Sequence, residues 1–196
     1  MCSIIGYYGK NLAAPILVKG LQKMEYRGYD SVGVATKTDT EILVKKGVGK
    51  VVEVNTKVQL DNLPGMVGIG HTRWATHGKV SDKNAHPHPS NSGKIAIVHN
   101  GIVENYEEIK ESLSSKGFEF ESDTDTEVVA NLIQANFDEL NDVKQTMIKT
   151  VSQLKGHFAF VVIFEDGTLA AARFHEPLLV GIGNNSYYLS SDVLGF

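Results

Sequence analysis

Met1-Cys2-Ser3-Ile4-Ile5-Gly6-Tyr7-Tyr8-Gly9 is the stretch on which the reading of this chain turns. Ser3 to Tyr8 is a short apolar run with β-branched residues, ended by Gly9, and it predicts a buried strand. A strand at that point ties down a terminus that would otherwise be loose. Directly before it stands Cys2, the only cysteine in the chain. Cysteine is small enough as a second residue for Met1 to be trimmed in the cell. Trimming leaves Cys2 with a thiol of pKa near ~8.5 and a free α-amino group near ~7.7–8.0. One residue then holds both a nucleophile and a base to activate it. The plain alternative is a chance cysteine at a frayed end, and position alone favours it; the rest of the chain reverses that preference.

Composition narrows the field. The 196 residues are 42% hydrophobic and 21% charged, ordinary globular values. The length predicts one large domain. The net charge is −4 with no basic block, so there is no electrostatic footprint for nucleic acid. A single cysteine excludes an internal disulfide framework and fits a reducing compartment. No apolar run approaches the roughly 20 residues of a membrane span, and Met1 to Lys10 lacks a secretory pattern. The expectation is a soluble cytoplasmic domain without nucleic-acid or membrane partners.

Outward from the first strand, Ile16, Leu17, Leu21 and Met24 recur at helical spacing over Ala13 to Met24. Val32 to Thr36 and Glu41 to Lys46 alternate as a hairpin. Val67 to His71 and Lys94 to His99 read as buried strands. Between these two lies Thr72 to Gly93, a long stretch dense in Gly, Pro, Asn, Ser and His; loops of that length are often functional. Helices are predicted over Glu104 to Ser115, Asp125 to Ala135 and Asp142 to Leu154. Four strands follow, over His157 to Phe164, Thr168 to Arg173, Leu178 to Ile182 and Tyr187 to Ser190. Hairpins with clustered helices predict an α+β protein whose two sheets lie between helical layers.

Five clusters carry candidate chemistry. Tyr26-Arg27-Gly28-Tyr29-Asp30-Ser31 places an arginine between aromatics, which also suits a structural cap. His71-Thr72-Arg73-Trp74-Ala75-Thr76-His77-Gly78 combines a strand end, a fixed cation, the only Trp, a hydroxyl and an imidazole. Arginine suits bidentate capture of a carboxylate, and Trp74 suits closing over a ligand; a surface Arg–Trp stack is the alternative. In Asn84-Ala85-His86-Pro87-His88 the two imidazoles invite a metal, but no thiol or carboxylate stands at zinc spacing. A hydrogen-bonding histidine is preferred, with no metal and no cofactor. Asn100 and Gly101, in His99-Asn100-Gly101, pair an amide with a backbone N–H as an oxyanion hole does. Asn-Gly is also the commonest hairpin turn signal, the reading favoured for the dipeptide alone, although a helix start rather than a second strand follows it. Asp123-Thr124-Asp125-Thr126-Glu127 reads as a helix cap, from which one carboxylate could receive an ammonium.

Taken in order, MCSIIG, YRGYDSVG, HTRWATHG, NAHPH, HNGIVEN and DTDTEV resemble the glutaminase domains of the glutamine–fructose-6-phosphate aminotransferase family, from Cys2 to about Asp192. The resemblance implies a four-layer αββα sandwich of the amino-terminal nucleophile hydrolase type. It implies Cys2 as nucleophile toward the glutamine side-chain amide, its α-amino group as base, Asn100 and Gly101 as oxyanion hole, and Arg27 and Gly28 flanking the thiol. Arg73, with Thr76 and His77, would bind the substrate carboxylate and Asp125 its ammonium. Trp74 would close over the site and His86 would support it. Glutamine and glutamate are the implied ligands, and a homodimer is compatible. The family's glutaminase region continues beyond Phe196 into sugar isomerase domains that take fructose 6-phosphate, which residues 1–196 do not include. The family has Gly where Ser3 stands: a positive φ there would cost about 1–2 kcal/mol, whereas a strand accepts Ser.

Overall fold

The computed structural model describes residues 2–74 and 79–196. The predicted first strand is present as β1 (Ser3–Tyr8). Helix α1 (Ala13–Lys23) follows, then the hairpin of β2 (Ser31–Lys37) and β3 (Ile42–Val48). A helix that periodicity did not reveal, α2 (Val51–Val58), precedes β4 (Val67–Arg73). Next come β5 (His88–Pro89), β6 (Ile95–Val103), α3 (Tyr106–Ser114), α4 (Asp125–Leu140) and α5 (Val143–Gln153). Strands β7 (Gly156–Phe164), β8 (Leu169–Phe174), β9 (Leu179–Gly183) and β10 (Ser186–Ser190) complete the order.

The strands form two antiparallel sheets, β3-β2-β4-β1-β10-β9 and β5-β6-β7-β8. Alternation within strands decides the layers. In β1, Ile5 faces the helix side with Leu17 and Leu21 of α1, while Ile4 faces Val98, Val161 and Ile163 of the other sheet. In β6 and β7, Ile95, Ile97, Phe160 and Val162 pack with Val129 and Ile133 of α4. The central strands of both sheets are thus buried on two faces, which is why β1 and β7 read as near-continuous apolar runs. The result is an αββα sandwich. Among the described residues, no helix is long and apolar enough to cross a membrane.

One sequence expectation shifts, and one alternative left open by the sequence is decided. Asn100 and Gly101 neither end their strand nor make a hairpin turn; β6 runs on to Val103, and Gly101 absorbs the departure with φ +114° while staying paired to Phe158. A Cβ there would run into the His157 carbonyl oxygen, so the position is restricted to glycine. Ser3 sits in β1 opposite Thr72 and outside the positive-φ residues, with its hydroxyl bonded to the Met24 carbonyl at 3.2 Å. Serine is accommodated there without strain.

Candidate active site

Antiparallel pairing brings distant segments together at one end of the sandwich. β1 begins where β4 ends, with Ser3 beside Thr72, so Cys2 lies next to Arg73 and Trp74. The Cys2 sulfur accepts the Trp74 backbone N–H at 3.3 Å. Gly28 allows this approach: an added Cβ would stand 2.9 Å from both the Arg73 carbonyl carbon and the Trp74 nitrogen. Burial pushes the Cys2 thiol up in pKa, while the Trp74 N–H and the Arg73 guanidinium pull it down.

The Cys2 carbonyl oxygen is held from two sides. Arg27 Nε donates to it at 3.2 Å and Asn100 Nδ2 donates to it at 3.2 Å. Arg27 is itself paired with Asp192 at 3.1 Å, and the Tyr26 hydroxyl donates to the same carboxylate at 2.7 Å. Arg27 therefore grips the backbone of Cys2 rather than its thiol.

A cavity of about 220 Å³ opens at this point, lined in part by Cys2, Arg73, Trp74, Asn100, Gly101 and Asp125. Asp125 is the first residue of α4, where the helix dipole favours a carboxylate. One of its oxygens accepts the Val103 N–H at 2.9 Å. Thr124 is the N-cap and accepts from the Glu127 N–H at 3.3 Å. The Glu127 carboxylate turns back to the N–H groups of Glu121 and Ser122. Trp74 is 42% exposed at the mouth and packs edge-on against Tyr29 at 5.4 Å. Thr76 and His77, expected to bind substrate, lie outside the described residues.

His86 also lines the cavity, but as part of a buried polar layer. Its Nε2 is 2.8 Å from the Thr126 hydroxyl, which His99 Nδ1 also meets at 3.0 Å. Its ring stacks on His71 at 4.3 Å and meets His88 edge-on at 4.8 Å. His88 Nε2 reaches the Thr124 hydroxyl at 3.2 Å. Burial lowers the pKa of all four histidines, His71 to about 3. Three donor bonds from the Lys46 ammonium, to the carbonyls of Lys83, Ala85 and Pro87, fasten the segment carrying His86 to β3.

The structure gathers Cys2, Arg27, Gly28, Arg73, Trp74, His86, Asn100, Gly101 and Asp125 at one end of the sandwich. Sequence reasoning assigned nothing to His71, His99, Thr126 or Asp192. The available signal was a polar side chain inside an apolar strand, as at His71 opposite Ile4.

The glutamine amidotransferase domain family matches residues 71–195. Curated relatives called glutamine–fructose-6-phosphate aminotransferase (isomerizing), from Pyrococcus horikoshii and Aquifex aeolicus, are 47% and 48% identical over 100% and 98% of this chain. The chain spans 33% of the length of each. Among solved structures, the glutamine phosphoribosylpyrophosphate amidotransferase of B. subtilis in complex with ADP and GMP superposes with a TM-score of 0.86 at 29% identity, covering 100% of this chain and 43% of that one. A glutamine aminotransferase class-II domain protein from Silicibacter pomeroyi, at 15% identity, covers 96% of this chain and 88% of its own with a TM-score of 0.66, a likeness of fold. The sandwich is of the amino-terminal nucleophile hydrolase type. With more than half its length matched, and its whole length aligned to relatives of nearly half identical sequence, this chain belongs to the glutamine amidotransferase domain family.

Proposed function

We propose that this chain hydrolyses the side-chain amide of glutamine to glutamate and ammonia, with the Cys2 thiol as nucleophile. The observation that carries the reading is one cavity lined by Cys2, Asn100, Gly101, Arg73 and Asp125. A free amino acid presents one carboxylate, one ammonium and, in glutamine, one amide; the cavity offers a counterpart to each.

With Met1 removed, the α-amino group of Cys2 takes the thiol proton, directly or through a water. Sulfur bonds to the amide carbon, and the negative oxygen is received by the Asn100 amide and the Gly101 N–H. One such donor is worth roughly 2.7–4 kcal/mol in a dry site. The C–N bond then breaks as the nitrogen takes the proton and leaves as ammonia. Water cleaves the γ-glutamyl thioester, giving glutamate and the free thiol. Arg73, with Thr76 and His77, receives the substrate carboxylate and Asp125 the ammonium. Trp74 covers the mouth, Arg27 and Gly28 position Cys2, and His86 supports the wall.

Residues 1–196 act in this reading as a glutaminase unit, and the remaining length of the relatives corresponds to the acceptor part. The ammonia would aminate fructose 6-phosphate there, as the names of the 47% and 48% identical relatives suggest. Intact mass and glutamate release test the core of the proposal together. A processed chain that releases glutamate, and a Cys2→Ala variant that binds glutamate but releases none from glutamine, is the expected result. Unchanged release by Cys2→Ala would overturn it.

A further inference from the structure

We propose that His71 is a positioning residue for this reaction: its ring N–H locks the side-chain amide of Asn100 with the NH2 group toward Cys2. The role rests on the glutaminase reading, but the hydrogen-bond geometry behind it stands apart.

His71 Nε2 lies 3.0 Å from the His99 backbone oxygen and 3.0 Å from Asn100 Oδ1. A backbone carbonyl can only accept, so Nε2 must carry the proton. A ring N–H aimed at Asn100 then demands an acceptor there, which puts Oδ1 on the histidine side. The flipped amide would set its NH2 against the ring N–H and its oxygen against the Cys2 carbonyl oxygen, a donor facing a donor and an acceptor facing an acceptor in a buried place. The NH2 group therefore faces the other way. One of its hydrogens goes to the Cys2 carbonyl oxygen at 3.2 Å. The second remains for the cavity that Asn100 lines beside the sulfur.

The ring is held so that it can serve as this reference. His71 is buried and stacks on His86 with 27° between the planes. Its Nδ1 is buried without a hydrogen-bond partner among the described residues. A bare lone pair tolerates that position better than an orphaned N–H, which again selects the neutral Nε2–H form. Burial, which lowers the His71 pKa to about 3, acts in the same direction.

The test has two parts. In the unaltered chain, 15N chemical shifts of His71 should report a protonated Nε2 and a bare Nδ1 that persist from pH 7.5 to pH 5. An Nδ1–H tautomer, or an imidazolium at pH 5, would overturn the proposal whether or not the chain turns glutamine over. In kinetics, His71→Leu should lower kcat for glutamine about 10- to 100-fold, at most the lower end of the roughly 100- to 1000-fold loss for a removed oxyanion donor, because the amide is misaligned rather than absent. KM and glutamate affinity should stay within about threefold, a uniform-binding criterion. His71→Gln, whose amide nitrogen can occupy the Nε2 position, should recover most of the loss. Folded His71→Leu with parental kcat, or a KM effect shared equally by both variants, would overturn it. Inactivity of the parent chain itself would count against the glutaminase reading and leave the tautomer result to decide the geometry.

Discussion

The Trp74 backbone N–H points at the Cys2 sulfur from 3.3 Å, on a peptide against which Gly28 is packed. This donor favours the thiolate, yet burial acts more strongly and leaves the thiol harder to ionise than a free cysteine. The nucleophile is therefore stored as a thiol and needs its base at the moment of attack. Iodoacetamide labelling of Cys2 should titrate with a midpoint above that of free cysteine, near ~8.5. A midpoint below that value would show that the N–H and the guanidinium outweigh burial.

Gly28→Ala tests the same contact sterically. The new methyl group meets the Arg73–Trp74 peptide at 2.9 Å and must displace the peptide whose N–H the sulfur accepts. Overpacking of this kind costs about 1–3 kcal/mol. The expected result is a folded protein with a small loss of Tm and a large loss of glutamate release. Full activity in Gly28→Ala would mean that the Trp74 peptide does not need its present place.

Asp125→Asn separates charge from structure. The amide oxygen can still accept the Val103 N–H that the carboxylate now holds at 2.9 Å, so the start of α4 should survive. Losing the charge removes a charge-assisted bond to the substrate ammonium, worth about 1.5–3 kcal/mol. KM for glutamine should rise roughly 10- to 100-fold, with kcat less affected. Unchanged steady-state kinetics would remove Asp125 from substrate binding.

The four buried histidines set the acid limit of stability. Their folded pKa values lie below the ordinary value of about 6.5. Between the two values the unfolded chain binds more protons, so stability rises with pH across that window and is lost on acidification through it. For His71 the window runs from about 6.5 down to about 3. Each ring contributes a slope of up to ~1.4 kcal/mol per pH unit. Urea unfolding should show a clear loss between pH 7 and pH 5, above the range where most carboxylates titrate. Equal free energies at the two pH values would contradict the neutral buried layer.

Asp192→Ala should weaken the Arg27 grip on the Cys2 carbonyl from outside the cavity lining. Removing one partner of this pair, whose side chains are 10% and 19% exposed, is expected to slow turnover several-fold while glutamate affinity holds. Calorimetric titration beside steady-state rates would check it; a shift in affinity alone would contradict a role in holding Cys2.

Most of the fold was legible because strands buried on both faces leave unbroken apolar runs, as in Ser3–Tyr8 and Gly156–Phe164. Helix α2 escaped because four of its eight residues are valine, a residue that favours strands. Its N-terminal end leans on a distant partner, Glu25, which accepts the Val51 N–H at 2.7 Å. The site residues were legible as residue types: a thiol, a guanidinium, an amide and a carboxylate. Their support was not. That His71 faces Asn100, or that Thr126 joins His86 to His99, depends on which strands are neighbours. No local spacing in the sequence encodes that.

One oxygen atom, the carbonyl of Cys2, is a point where the two sheets meet at the site, beside the bond from His71 to Asn100. Arg27, next to the six-stranded sheet, and Asn100, within the four-stranded sheet, both hold it at 3.2 Å. Slippage of the four-stranded sheet over the other would bear directly on the bond from Asn100, since Cys2 leads into β1 and Asn100 lies in β6. The nucleophile is in effect a gauge of inter-sheet alignment. Small volume changes at Ala96, Val98 or Val161, deep between the sheets, are therefore expected to reach the chemistry as well as the stability.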